Sequence, residues 1–289
     1  MRADARTLLL SRQNGDGGWG YRAGQSSWLE PSVYAALALC GTDAGWRAAE
    51  LIRRWQLPEG AWMTSPQTRQ PGWATSLAIV LKCALGQFDE AWRKGVDWLV
   101  STRAKQAPVQ SWLDRLLGKR PLNELHPELT AWPWTGGTAA WIEPTAHAVR
   151  ALELSLSNRR DPAVRERIEL GTQMILDRQC RDGGWNYGNK RVLGEDLESF
   201  PECTALALIG LCGRKDPAVE RGLERALEDW RRGARGLAQA LLRIAFRMHG
   251  VPFDDRPVEV NGRTETTVLA LALIGEPDGA WRLWKGGAG

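Results

Sequence analysis

Three stretches of this chain place a glutamine, a glycine and a tryptophan in one register behind the same pair of apolar residues. They read Gly171, Met174, Ile175, Gln179, Gly183, Trp185; Ala5, Leu8, Leu9, Gln13, Gly17, Trp19; and Ala48, Leu51, Ile52, Gln56, Gly60, Trp62. A fourth copy starts at Lys94, Gly95, Trp98 and Leu99, carries Arg103 in the place of the glutamine, and is interrupted before Trp132 and Trp134. A fifth survives only at Arg221 and Gly222. Self-similarity in a fixed register means that one supersecondary unit is stacked repeatedly, because such a unit cannot bury its apolar face alone.

The unit has two unlike halves. Ahead of each turn the apolar residues recur three and four apart, which predicts a helix striped on one face. After each turn comes a segment that is apolar nearly all round, and such a helix is buried. These inner segments run from Glu30, Ala74, Glu143, Glu202 and Glu265. The expected fold is therefore all-α, a single domain over residues 1–289. It is an α/α toroid, a double-ring barrel of five to six helical hairpins. The first outer helix is expected within residues 1–12, with Leu8, Leu9 and Leu10 as its buried end. Asp43, Asp89, Asp161-Pro162 and Asp216-Pro217 stand where outer helices begin and read as caps. Gly233 to Met248 reads as the outer helix of the last repeat.

Composition narrows the class. Sixteen Trp against three Tyr and four Phe fall mostly at repeat positions, where they serve as wedges between hairpins. A net charge of +4 carried by scattered Arg, with no basic block, gives no nucleic-acid partner. The five Cys have no CxxC spacing and read as reduced thiols. DARTLLLSRQ leads straight into the first repeat and no apolar run spans a bilayer, so the expected location is cytoplasmic.

The pattern of Lys/Arg, Gly/Ala, an aromatic or apolar pair, Gln, Gly and Trp resembles the QW repeat of squalene–hopene and related class II terpene cyclases. Protein prenyltransferase β subunits share the wider fold. The resemblance covers essentially the whole chain. It implies an isoprenoid partner, polyprenyl or triterpenoid, in an apolar barrel. It also implies peripheral contact with the inner membrane face. The full-size cyclases use two helical barrels, so a second subunit is a further implied partner.

The insertion from Ala104 to Thr130 carries Val109, Trp112, Leu113, Leu116 and Leu117 at helical spacing, flanked by Arg115, Lys119 and Arg120. A helix over 108–120 of this kind lies in a bilayer interface or packs over one end of the barrel.

The candidate site lies where the inner segments begin. Glu30, Glu143, Glu202 and Glu265 converge on one mouth if these helices line one barrel. Gathered and partly dry carboxyls raise one another's pKa, and an acid protonated near neutral pH can donate a proton. The competing reading is that each Glu stabilises its own helix N-terminus. The cyclases protonate an alkene with the central Asp of an Asp-x-Asp-Asp-Thr-Ala motif, and the resemblance places Glu202 of Phe200-Pro201-Glu202-Cys203-Thr204-Ala205 there as catalytic acid. Phe200 and Cys203 stand in place of the two flanking Asp. Tyr34, Trp73, Trp141 and Phe200 are candidate wall residues, with His147 on an inner helix beside them. No zinc set, nucleotide loop or Asp-rich diphosphate motif is present, so no cofactor and no metal are expected. Two other readings stay open: a non-catalytic toroid that binds a protein or peptide at its Glu-rimmed mouth, and sugar processing by carboxylates paired across it.

Overall fold

The computed structural model describes residues 4–105, 125, 126 and 128–286. The amphipathic helix expected at 108–120 lies outside the described residues. Among the described residues the chain is all-α apart from one small hairpin. The helices are α1 (Ala5–Leu10), α2 (Leu29–Ala38), α3 (Asp43–Arg54), α4 (Thr75–Ala84), α5 (Glu90–Ser101), α6 (Ile142–Ser155) and α7 (Pro162–Asp177). After the hairpin β1 (Arg191–Val192) and β2 (Glu195–Asp196) come α8 (Pro201–Gly210), α9 (Pro217–Arg231), α10 (Gly236–His249), α11 (Thr266–Ile274) and α12 (Trp281–Lys285). None of the described helices is long and apolar enough to cross a membrane.

The apolar helices pack on one another in a closed circuit: α2 on α4, α4 on α6, α6 on α8, α8 on α10, α10 on α11, and α11 back on α2. Striped helices lie against them, α3 on α2, α5 on α4 and α6, α7 on α6, α9 on α8 and α1 on α11. α3 shows why. Its Ala44, Gly45, Ala48, Leu51 and Ile52 are buried, while Arg53 and Arg54 close its outward face at the C-terminal, negative end of the helix.

The glutamine–glycine–tryptophan register is explained by three contacts. Each Gln amide donates to the carbonyl of its own turn glycine and to a carbonyl at the start of the next striped helix. Gln13 reaches Gly17 and Ala44, Gln56 reaches Gly60 and Ala91, and Gln179 reaches Gly183 and Ala218. Each Trp indole N–H donates back to the carbonyl of the second apolar residue: Trp19 to Leu9, Trp62 to Ile52, Trp185 to Ile175. The fourth copy keeps this bond across the interruption, Trp132 to Leu99 at 2.9 Å. In the absence of its Gln, the buried Arg167 of α7 donates to Thr102 and Thr130 and lies over the Trp132 ring. The rings of Trp62, Trp132 and Trp185 press on Gly95, Gly171 and Gly222, where a Cβ would overlap them. Burying one Trp contributes on the order of 4–6 kcal/mol. That is why the position after the Lys/Arg is small.

Three features depart from expectation. Thr42, not Asp43, caps α3, its hydroxyl accepting from Gly45, whereas Asp89, Asp161 and Asp216 do cap their helices. Leu10 is exposed, because α1 is short and presents only Leu9 inward. α10 belongs to the inner circuit rather than outside it, with Leu241, Leu242, Ile244, Ala245 and Phe246 all buried between α8 and α11. Outside α10 runs a segment without regular structure, residues 251–264, ending in a turn and held by Gln239 to Arg256 and Pro257 and by Arg12 to Gly262 and Thr264.

Candidate functional site

The carboxylates Glu30, Glu143 and Glu202 are each the second residue of an inner helix, and Glu265 immediately precedes α11. The turns of neighbouring units are bolted to these helix starts. The Tyr21 carbonyl accepts from Thr266 N–H, and the Tyr187 carbonyl accepts from Ile142 N–H. Two tyrosines are thereby brought to the acidic end. Sequence reasoning passed over both, since they sit in polar loops without periodicity. A second signal was available: Ser32, Thr75, Thr145 and Thr204 each accept the backbone N–H of a repeat Trp, fixing turn to helix start.

The four carboxylates differ in what surrounds them. Tyr21 donates its hydroxyl to Glu30 at 2.6 Å. Arg22 pairs with Glu265 at 2.9 Å in the open, an arrangement that contributes little. Among the described residues, no donor or cation pairs with Glu143 or Glu202. Burial, then Glu30 and Glu202, push the Glu143 carboxyl up to about 8. Glu30 is also raised, by burial and by Glu265, against the Tyr21 hydrogen bond that favours its anion. A helix N-terminus favours a carboxylate by about 0.3–1 kcal/mol. The rise at Glu143 corresponds to about 5 kcal/mol in the opposite sense. Burial wins at Glu143.

One helical turn further in lies a floor of rings. Tyr34 follows Glu30 by four residues and His147 follows Glu143 by four, so each sits below its Glu. The Tyr34 hydroxyl meets His147 Nε2 at 3.2 Å. The Trp284 indole of α12 stacks on His147, 5.7 Å between centroids and 9° between planes. Trp73 lies 5.5 Å from His147 and meets Trp134 edge-on at 5.0 Å. Tyr34, His147 and Trp284 are buried, and burial takes the imidazole down to about 3, so it is neutral.

The structure thus brings Tyr34, Trp73 and His147 together with Trp134 and Trp284. Phe200 stands apart, 42% exposed, with its ring 5.4 Å from Tyr187 on the outer rim. Trp141 precedes α6 and packs near Gly188. Trp284 was not foreseen, because nothing in the short RLWKGG run ties it to a repeat. Three open surface hollows of about 340, 520 and 530 Å³ lie away from the carboxylates.

No protein-family model matches the sequence, and no curated protein matches it. Solved structures do resemble the fold. Type II terpene cyclase MstE from Scytonema, in its apo form, superposes with a TM-score of 0.53 and 18% identity, over 86% of this chain and 72% of that one. The chain shares the fold of a type II terpene cyclase. A variant of MstE in complex with geranylgeranyl dihydroxybenzoate gives a TM-score of 0.52 at 16% identity, over 98% of this chain and 95% of that one. A protein from Actinoplanes gives 0.51 at 21% identity, over 93% and 77%. At these identities the likeness establishes the fold alone.

Proposed function

We propose that the chain is a terpene-cyclase-like α/α toroid that binds an isoprenoid hydrocarbon at its Glu-lined mouth and starts cyclisation by protonating an alkene. The observation that carries this reading is the acid end of the inner circuit: unpaired carboxyls, one of them raised to about 8, standing on a floor of aromatic rings. An acid that keeps its proton at neutral pH can give it to a carbon–carbon double bond. The half-buried ring of Trp73, beside His147, suits the cation that follows. The resemblance nominates Glu202 as the donor. In support, the MstE variant binds geranylgeranyl dihydroxybenzoate on the same fold.

The rings also set where the hydrocarbon lies. Because Tyr34, His147 and Trp284 close the axis one turn below the carboxyls, the substrate reclines across the mouth rather than threading the barrel. Tyr187, Leu193, Leu197 and Phe200 expose apolar side chains at this end and form the rim it crosses.

The test is incubation of the purified chain in D₂O with farnesol, geranylgeraniol and squalene, followed by mass spectrometry of extracted lipid. Proton-initiated cyclisation yields a cyclic isomer carrying one solvent deuteron. A chain that neither retains nor converts any of the three would favour the protein-binding scaffold instead.

A further inference from the structure

Resting on that reading, we infer that Glu143, rather than Glu202, gives up the proton, with Glu30 and Glu202 as positioning residues that keep it protonated until it does. The carboxyls stand at the starts of neighbouring inner helices, α2, α6 and α8, and Glu30 and Glu202 act on Glu143 from either side. Among the described residues, Glu143 has Glu30 and Glu202 acting on it and neither a hydrogen-bond donor nor a cation. Glu30 has the Tyr21 hydroxyl, and Glu265 has Arg22. The groups that feel Glu143 from the surrounding elements are Glu30 and Tyr34 of α2, Glu202 and Cys203 of α8, Tyr21 of the first turn and Tyr187 of the hairpin loop. None of these is basic, so no cation in this shell offsets the burial of a Glu143 anion. Glu143 also stands directly above His147, against which Trp73 and Trp284 pack. A cation formed beside its carboxyl therefore forms one turn above this aromatic floor.

The step balances as follows. The Glu143 hydroxyl proton moves to the less substituted alkene carbon, the π pair becomes the new C–H bond, and the positive charge is left on the neighbouring carbon. Glu143 becomes a carboxylate facing that cation. Ring closure moves the charge along the chain until a proton is lost to water, and water then reprotonates Glu143.

The same four-residue run, Glu-x-Thr-Ala, begins at Glu143 and at Glu202. Sequence alone therefore does not choose between them. The choice comes from what lies one turn below: His147 with its packed rings under Glu143, and Leu206 under Glu202.

The experiment uses the full chain labelled with ¹³C at the Glu side-chain carboxyls. Carboxyl resonances are followed from pH 4 to 10 in the unsubstituted chain and in Glu143→Gln, Glu143→Asp and Glu202→Gln. We expect one resonance that titrates far above the ordinary Glu range. It is absent in Glu143→Gln and moves to lower pH in Glu202→Gln, where a neighbouring carboxylate has been removed. Turnover of whichever of farnesol, geranylgeraniol and squalene is converted falls at least 100-fold in Glu143→Gln, is partly kept in Glu143→Asp, and falls less than 10-fold in Glu202→Gln. A high-pH resonance that survives Glu143→Gln, or turnover lost in Glu202→Gln but kept in Glu143→Gln, overturns the assignment while leaving cyclisation standing. A resonance that follows Glu143 in a chain converting none of the three hydrocarbons overturns the cyclisation reading, and the donor role with it.

Discussion

Replacing Glu143 by Gln is expected to stabilise the chain, and to do so only as the pH rises. In the folded protein this carboxyl is held up to about 8 by burial and by Glu30 and Glu202, against an ordinary value of 4.5. A group raised on folding binds its proton more tightly in the folded state. The stability it contributes is full below pH 4.5 and falls as the pH climbs through about 8, because the unfolded chain releases that proton first. At about 1.4 kcal/mol per pH unit, the whole interval is an upper bound of about 5 kcal/mol. Gln keeps the shape and cannot ionise, and its removal of one charge also relieves Glu30. Urea unfolding at pH 5, 7 and 8.5 reads the effect directly. The two proteins should unfold at nearly the same urea concentration at pH 5. By pH 8.5 the variant's midpoint should lie about 1–2 M higher, taking a slope of about 3 kcal/mol per molar for a chain of this size. Midpoint curves that stay parallel from pH 5 to 8.5 would falsify the account of a protonated acid at this position.

The opposite limb belongs to His147, whose folded value is depressed by burial to about 3 from 6.5, so its contribution is present above pH 6.5 and is lost as the pH falls. His147→Phe should lose about 1 kcal/mol at pH 7 with the Tyr34 hydrogen bond, yet decline less steeply below pH 6 in the same urea series. Gly222→Ala drives a methyl into the Trp185 ring and should cost about 1–3 kcal/mol, seen as a lower melting temperature. Gly262→Ala, with open space around it, should change stability by less than about 0.5 kcal/mol. Trp284→Ala removes the stacked floor and should cost about 3–5 kcal/mol. The same variant should bind small apolar probes in the space it leaves, and a variant as stable as the parent would show that α12 is not part of the core.

Which features could be read from the sequence follows from how far apart the interacting residues lie. The Gln13, Gln56 and Gln179 amides reach four residues along the chain and one unit over, so their bonds print a period that survives comparison of the chain with itself. The helix starts at Asp89, Asp161 and Asp216 are legible because a cap is a two- or three-residue interaction. α10 was misplaced because Gln239, Arg243 and Arg247 give it a striped pattern. Those polar groups are in fact spent on residues 251–264, through Asp255, Arg256 and Pro257. The four Glu were legible as helix starts. Their unlike surroundings were not, since Tyr21 separates Glu30 from Glu143 in character only once the loops are folded back.

Trp284 and the gathered carboxyls act on the same physical quantity. A floor of rings one turn below Glu143 keeps water from the inner side of the mouth, and burial is the largest cause of the rise at that carboxyl. The floor therefore does more than fill space between α4, α6 and α10, against which α12 packs. It maintains the low-dielectric setting in which the Glu143 carboxyl is raised. A chain with the repeat, the circuit of inner helices and the four Glu, but with water beneath them, would lack the largest cause of the rise at Glu143. The raised carboxyl at Glu143 owes as much to closing the axis as to gathering the Glu side chains, so the proposed acid chemistry would depend on a residue in the last helix.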